Sequence, residues 1–199
     1  DALPGLSDAW LERLAYTRVW WHEGAANLDG VVSAGTAFLA RWENSPLRDE
    51  VRMKIAQAHF RREDYVKAQA EFEALAEEHG DSPYAEVAMF FAGRAAMSQL
   101  TESGMEKAIT LWEEVVSRNG PLTHEAQHQQ AVVKRRQGNH QDALLVIENL
   151  LSSPVEDTEE RLGLLAEKGE LLTLLARKDP KHLDEAAMVF ADIANDSGA

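Results

Sequence analysis

Cysteine is missing from all 199 residues. Its absence removes disulfides, thiolate nucleophiles and every zinc or iron–sulfur site built on sulfur. Cations are scarce: 20 Lys and Arg stand against 34 Asp and Glu, a net charge of −14. That deficit argues against nucleic-acid partners, whose phosphates draw affinity from Lys and Arg. It suits a basic or polar protein partner, or simple solubility. No run approaches the roughly 18 continuous apolar residues of a membrane span, so no direct span is expected. Nothing alternates with period two over a useful length, which leaves strands without a signal. A Gly-rich phosphate loop and a serine nucleophile elbow are also lacking, and no cofactor is expected. The chain begins at Asp1 rather than Met, from which the expectation is that something upstream was removed.

What is present is a recurrence. Five alanines are each followed four residues later by a large apolar residue: Ala34/Phe38, Ala68/Phe72, Ala108/Trp112, Ala143/Ile147 and Ala186/Phe190. The alanines are 34, 40, 35 and 43 residues apart, a period that signals stacked repeats. Each pair lies on one helical face, and the stripes run on through Tyr65 and Leu75, Met105 and Val115, His140 and Leu150, and Leu183 and Ile193. Pro46, Pro83 and Pro121 each precede a small residue by ten positions, namely Ala56, Gly93 and Ala131. Proline starts a helix well because its φ is preset, with Ser45 and Ser82 as expected N-caps. The small residue lets a second helix approach. Turns inside the hairpins are expected at Asn27–Gly30, Arg62–Asp64, Ser103–Gly104 and Gly138–Asn139. The reading is an all-α chain of five helical hairpins, with the five alanines buried at hairpin contacts.

These residues resemble the tetratricopeptide repeat (TPR). The second repeat matches best, in Ala56, Tyr65, Ala68, Phe72 and Pro83, and Ser82-Pro83-Tyr84-Ala85 looks most like the bacterial periplasmic branch of outer-membrane assembly lipoproteins and the Tol–Pal coordinator. Departures are Arg41 after Phe38, Gln127 and Gln130 at usual core positions, about three extra residues around Leu100–Ser103 and a longer stretch between Glu159 and Lys181. The resemblance implies a right-handed α-solenoid of about five TPR-like hairpins forming one domain over 1–199, with repeats near 7–45, 46–82, 83–120, 121–153 and 154–199. It implies a non-enzymatic scaffold for a protein or peptide partner. With the absence of cysteine, it favours a periplasmic or cell-envelope location. Family positions for the concave groove map onto Met53, Phe90 and His128, onto Gln57, Arg94 and Val132, and onto Phe60, Met97 and Arg135. Of these, Met53, Gln57, Phe90, Arg94, Met97, His128 and Arg135 are the expected partner-binding residues. Phe90 and Met97 next to Arg94 and Arg135 suggest an acidic-aromatic ligand. The carboxylate clamp of some family members is missing.

One motif carries possible chemistry. His124-Glu125-Ala126-Gln127-His128 fits the zincin pattern HExxH, with histidines at i and i+4 and Glu125 as general base. Glu148, twenty residues on, is the candidate third ligand. Zincin helices are apolar around the motif so that the site stays dry and its ligands are held; here Gln127, Gln129 and Gln130 surround it. The metallopeptidase is therefore the alternative to the scaffold, and a structural spacer or oligomerisation module is a third. His22, His59, His79, His140 and His182 show no ligand spacing. Trp10, Trp20, Trp21 and Trp42 crowd the first 42 residues, and both members of the Trp20-Trp21 pair are expected to pack. The last helix leaves apolar surface at Ala187, Val189 and Ala194, which suggests self-association through the C-terminal edge or a longer protein.

Overall fold

The computed structural model describes residues 7–78, 80, 82–153, 155 and 157–196. His79 and the limits drawn at 1, 154 and 199 lie outside them. Ten α-helices follow in order, and the described residues hold no strand. The chain divides into two compact units, Asp1–Arg118 and Asn119–Ala199, where the repeat pattern alone suggests one domain over 1–199.

The first unit holds α1 (Asp8–Gly24), α2 (Leu28–Arg41), α3 (Arg48–Arg61), α4 (Tyr65–Glu78), α5 (Ala85–Ser98) and α6 (Glu102–Arg118). The second holds α7 (Thr123–Arg136), α8 (His140–Ser152), α9 (Thr158–Ala176) and α10 (Lys181–Asp196). Within each unit, helices pack on their neighbours in chain order. The alanine frame explains how. Ala68, Ala108, Ala143 and Ala186 are buried in the second helices of their hairpins, and Phe72, Trp112 and Ile147 are buried one turn further on. Ala56, Gly93 and Ala131 are buried in the first helices.

The first hairpin departs from the frame. Ala34 is only partly buried, and the close-packed face of α2 is Val31, Gly35 and Phe38. A Cβ on Gly35 would sit 2.7 Å from Ile55, so here the chain approaches through glycine, one residue later. On the second helix of the last hairpin Ala186 is buried, but Leu183 and Phe190 are exposed.

The helix starts also differ in detail. Ser45 and Ser82 do not cap helices. Their Oγ atoms accept from the N–H of Leu47 and Tyr84 at 3.1 and 3.3 Å, closing a turn that contains the proline, and α3 and α5 begin two residues after Pro46 and Pro83. Side-chain caps are seen at Asn27, accepting from Gly30 N, at Thr101, whose Oγ1 accepts from Gly104 N at 3.0 Å, and at Asp157, accepting from Glu159 N and Glu160 N. The hairpin turns pivot on a left-handed residue at Ala26, Glu63, Leu100 and Gly138. Gly30 and Gly104 are instead inside the first turns of α2 and α6. Three of the four pivots are not glycine, and each such L-residue carries a conformational cost of about 1 kcal/mol.

Candidate functional site

A largely apolar pocket lies in the first unit, where α1, α2 and α3 meet α4 and α5. Its volume is about 210 Å³, and it is lined by Leu28 and Val31, by Lys54, Gln57, Phe60 and Arg61 of α3, and by Phe72 and Phe91. Aromatic rings build its wall. Phe91 stacks on Phe72 with centroids 5.7 Å apart, and Phe60 meets Tyr65 edge-on at 5.3 Å.

Three cations edge this pocket and differ in their partners. Lys54 is satisfied: its Nζ is 2.8 Å from Glu23 Oε1 and 4.1 Å above the Trp20 ring. Arg94 is exposed, with its guanidinium over both Phe60 and Phe91 at 5.9 and 5.5 Å. Arg61 is exposed on the pocket lining. Neither arginine has a carboxylate partner among the described residues. In a chain of net charge −14, two guanidiniums beside an aromatic pocket are an exposed anion-binding capacity.

The expected groove residues distribute unevenly. Gln57 lines the pocket and Arg94 stands over two of its rings. Met97 is half-buried. Met53 and Phe90, expected as exposed groove groups, are core residues, 5 % and 4 % exposed. Phe90 packs against Trp112, whose indole Nε1 donates to the Phe90 carbonyl at 3.1 Å. Position 91, not 90, carries the accessible ring. Lys54, Arg61 and Phe91 fall outside the groove positions that the repeat pattern marks. A signal for them exists in the sequence: Lys54, Arg61 and Phe91 follow the groove positions Met53, Phe60 and Phe90 by one residue.

His128 and Arg135 belong to the second unit, where both meet α9. His128 Nε2 lies 2.7 Å from Glu167 Oε2, and the Glu167 hydrogen bond, ahead of the opposing effect of burial, raises the imidazole pKa above its ordinary value. Arg135 Nη1 reaches Glu170 Oε2 at 2.7 Å, and its Nε is 3.7 Å from Glu167 Oε1. Glu167 is buried, so these contacts offset the desolvation of its charge.

The HExxH residues do not assemble a metal centre. His124 and Glu125 are exposed, His128 faces Glu167, and Glu148 is exposed and bridged to Lys168 at 2.9 Å. Among the described residues no group of three His, Asp or Glu side chains is placed to hold a metal ion, and no helix is long and apolar enough to cross a membrane. Trp20 packs between Lys54 and the edge of Tyr16. Trp21, expected to pack, is 66 % exposed.

Residues 104–193 match the family model described as Tetratricopeptide Repeats-Sensor. The nearly identical TPR-like repeats of a kinesin light chain candidate from Podosopora anserina align with TM-score 0.69 at 15 % identity, covering 96 % of both chains. MamA (41-end) from Desulfovibrio magneticus RS-1 aligns with TM-score 0.69 at 14 % identity, covering 92 % of this chain and 93 % of its own. PlcR of Bacillus thuringiensis, solved with the peptide PapR7 and DNA, aligns with TM-score 0.53 at 12 % identity, covering 98 % and 75 %. No curated protein sequence matches the chain. The fold is therefore that of tetratricopeptide-like repeats. The subtype suggested by Ser82-Pro83-Tyr84-Ala85 is not among these likenesses.

Proposed function

We propose that this chain is a non-enzymatic interaction scaffold that holds a partner's peptide segment at the pocket of the first unit. The observation that carries the reading is the pair of arginines without carboxylate partners among the described residues, Arg61 and Arg94, beside an aromatic pocket of about 210 Å³. A pocket of that size takes one large apolar side chain. The guanidiniums then take carboxylates one or two residues away, with Arg94 held over Phe60 and Phe91 and so preorganised for paired hydrogen bonds. The ligand is an acidic segment with one aromatic or branched aliphatic anchor. The solved PlcR neighbour holds a peptide, and the sensor description of the matching family model suits a chain that recognises another molecule.

Placement in the bacterial periplasmic branch rests on the Ser82–Ala85 segment and the absence of cysteine. The experiment is a titration of the full chain with acidic-aromatic peptides at two ionic strengths. Arg61→Glu with Arg94→Glu should weaken binding by at least about tenfold, most at low salt. Phe91→Ala should weaken it at any salt. Unchanged affinity in both variants would remove the site from the first unit.

A further inference from the structure

Two exposed apolar helix faces remain outside that pocket, one in each unit, and their features match. On α1, Trp10, Leu14 and Trp21 lie at i, i+4 and i+11, which puts all three on one stripe. All three are exposed, Trp10 by 58 %. Arg13 and Arg18 flank the stripe, exposed and without a carboxylate partner among the described residues. Beside it, between α1 and α2, runs an open groove of about 570 Å³, with Leu11 and Leu14 on one wall and the small side chains of Ala34 and Ala37 on the other. This is the position at which α2 leaves Ala34 half-open instead of burying it.

On α10, Leu183, Ala187, Phe190 and Ala194 lie at i, i+4, i+7 and i+11 and present a second stripe, with Met188 and Ala191 widening it. Leu183, Met188 and Phe190 are exposed large apolar groups. The charged residue within this face is Asp184, exposed and without a cationic partner among the described residues. Contiguous exposed apolar faces are the kind of surface that associates.

We infer that the α10 face of one copy docks on the α1–α2 face of another, so that the chain associates head to tail through two different surfaces. Size and charge favour this pairing. The bulky, outward Leu183 and Met188 have a groove lined by alanines to enter, and Asp184 meets Arg18. The Phe190 ring keeps its inner end over Gly169 of α9 and offers only its outer edge. Each face pairs poorly with itself: two α1 stripes would bring Arg13 and Arg18 together, and two α10 faces would oppose their Asp184 residues. An anionic lipid surface, which would also attract the tryptophans and arginines of α1, is the competing occupant, read out as vesicle binding. The contact is heterologous, so an open assembly always keeps one free face of each kind.

Sedimentation velocity of the full chain across a concentration series, up to about 1 mM, tests this. Wild type should associate with concentration. Leu14→Glu and Leu183→Glu should each weaken association by at least about tenfold, since each buries a charge within one face. Their equimolar mixture should form a one-to-one complex that grows no further, because one variant keeps its α10 face and the other its α1 face. Arg18→Glu and Asp184→Arg, both at exposed positions, should each weaken association, and combining them in one chain should restore it. A wild type that stays monomeric throughout overturns the inference. So does a dimer abolished through one face only, a mixture that fails to pair, or vesicle binding in place of self-association. Peptide binding at the first-unit pocket is read separately and does not depend on these faces.

Discussion

The α5–α6 and α9–α10 hairpins use one device and reach different ends. In each, a large ring from the second helix lies over a glycine of the first. A Cβ on Gly93 would be 2.5 Å from the Trp112 indole, and a Cβ on Gly169 would be 2.6 Å from the Phe190 ring. Trp112 is completely buried and hydrogen-bonded to the Phe90 carbonyl, whereas Phe190 is 43 % exposed. α5 buries eight of its 14 residues, while among the described side chains of α10 Ala186 alone is buried. The same kinds of residue at matching places thus fix how two helices of a hairpin approach. They do not fix what covers the outer side of the ring, and that cover decides how much the packing contributes.

The largest test of this contrast is truncation of the two rings. Trp112→Ala should cost about 3–5 kcal/mol, the range for a fully buried aromatic. Phe190→Ala should cost about 1 kcal/mol or less in dilute solution, because much of its ring is already in water. Urea denaturation of both variants reads the difference, and equal losses would mean that the outer cover does not matter.

The glycines sharpen the comparison. Gly93→Ala should destabilise by about 1–3 kcal/mol, since the indole is pinned by its hydrogen bond and has nowhere to move. At Gly169 the Phe190 ring can swing outward. The packing it gives up in doing so is offset by the gain from replacing a mid-helix glycine, about 0.5–1 kcal/mol. Gly169→Ala should therefore be near neutral by thermal melting.

A smaller effect separates the units by pH. The His128 pKa is raised, chiefly by its hydrogen bond to Glu167. A raised folded-state value means stabilisation fully present below the ordinary histidine pKa and lost as pH rises through the folded one. The second unit should therefore melt at higher temperature near about pH 6 than near about pH 9, and His128→Gln should flatten that dependence relative to wild type. If the variant keeps the full slope, other histidines are its source.

The smallest effect is expected at a turn. Leu100 holds φ +55° and is well exposed. Leu100→Gly should stabilise the first unit by about 0.5–1 kcal/mol, as relief of the left-handed strain outweighs the added freedom of the unfolded chain.

Much of the architecture is legible in the sequence because it depends on local spacing. The Ala-x-x-x-aromatic pairs locate the hairpins, and Ala56, Gly93 and Ala131 mark the closely approached first helices. What escapes such a reading is set by a residue's neighbours in space. Phe90 and Phe91 are both phenylalanines one position apart. Their separation into core and pocket follows from Trp112 covering one side of α5, which spacing alone does not reveal. The repeat pattern points to Gln57 and Arg94, and both stand at the pocket. Arg61 stands in the last turn of α3, where a cation is favourable in any helix, and its lack of a carboxylate partner among the described residues is a three-dimensional fact. The HExxH motif is similarly ambiguous: the sequence puts His124 and His128 one helical turn apart, and the fold gives His128 to Glu167.

The left-handed pivots at Ala26, Glu63, Leu100 and Gly138 join the first helix of each of the first four hairpins to its partner across only a few residues. Closing such short loops costs little chain entropy, and the packed helices within each unit are next, or next but one, along the chain. Topology of this kind places few distant segments in contact, so a hairpin can form before its neighbours and then template the one beside it. It also confines damage: a nick or a destabilising change in one hairpin frays that hairpin and its immediate neighbours first, and cooperativity across the chain is only as strong as each successive interface.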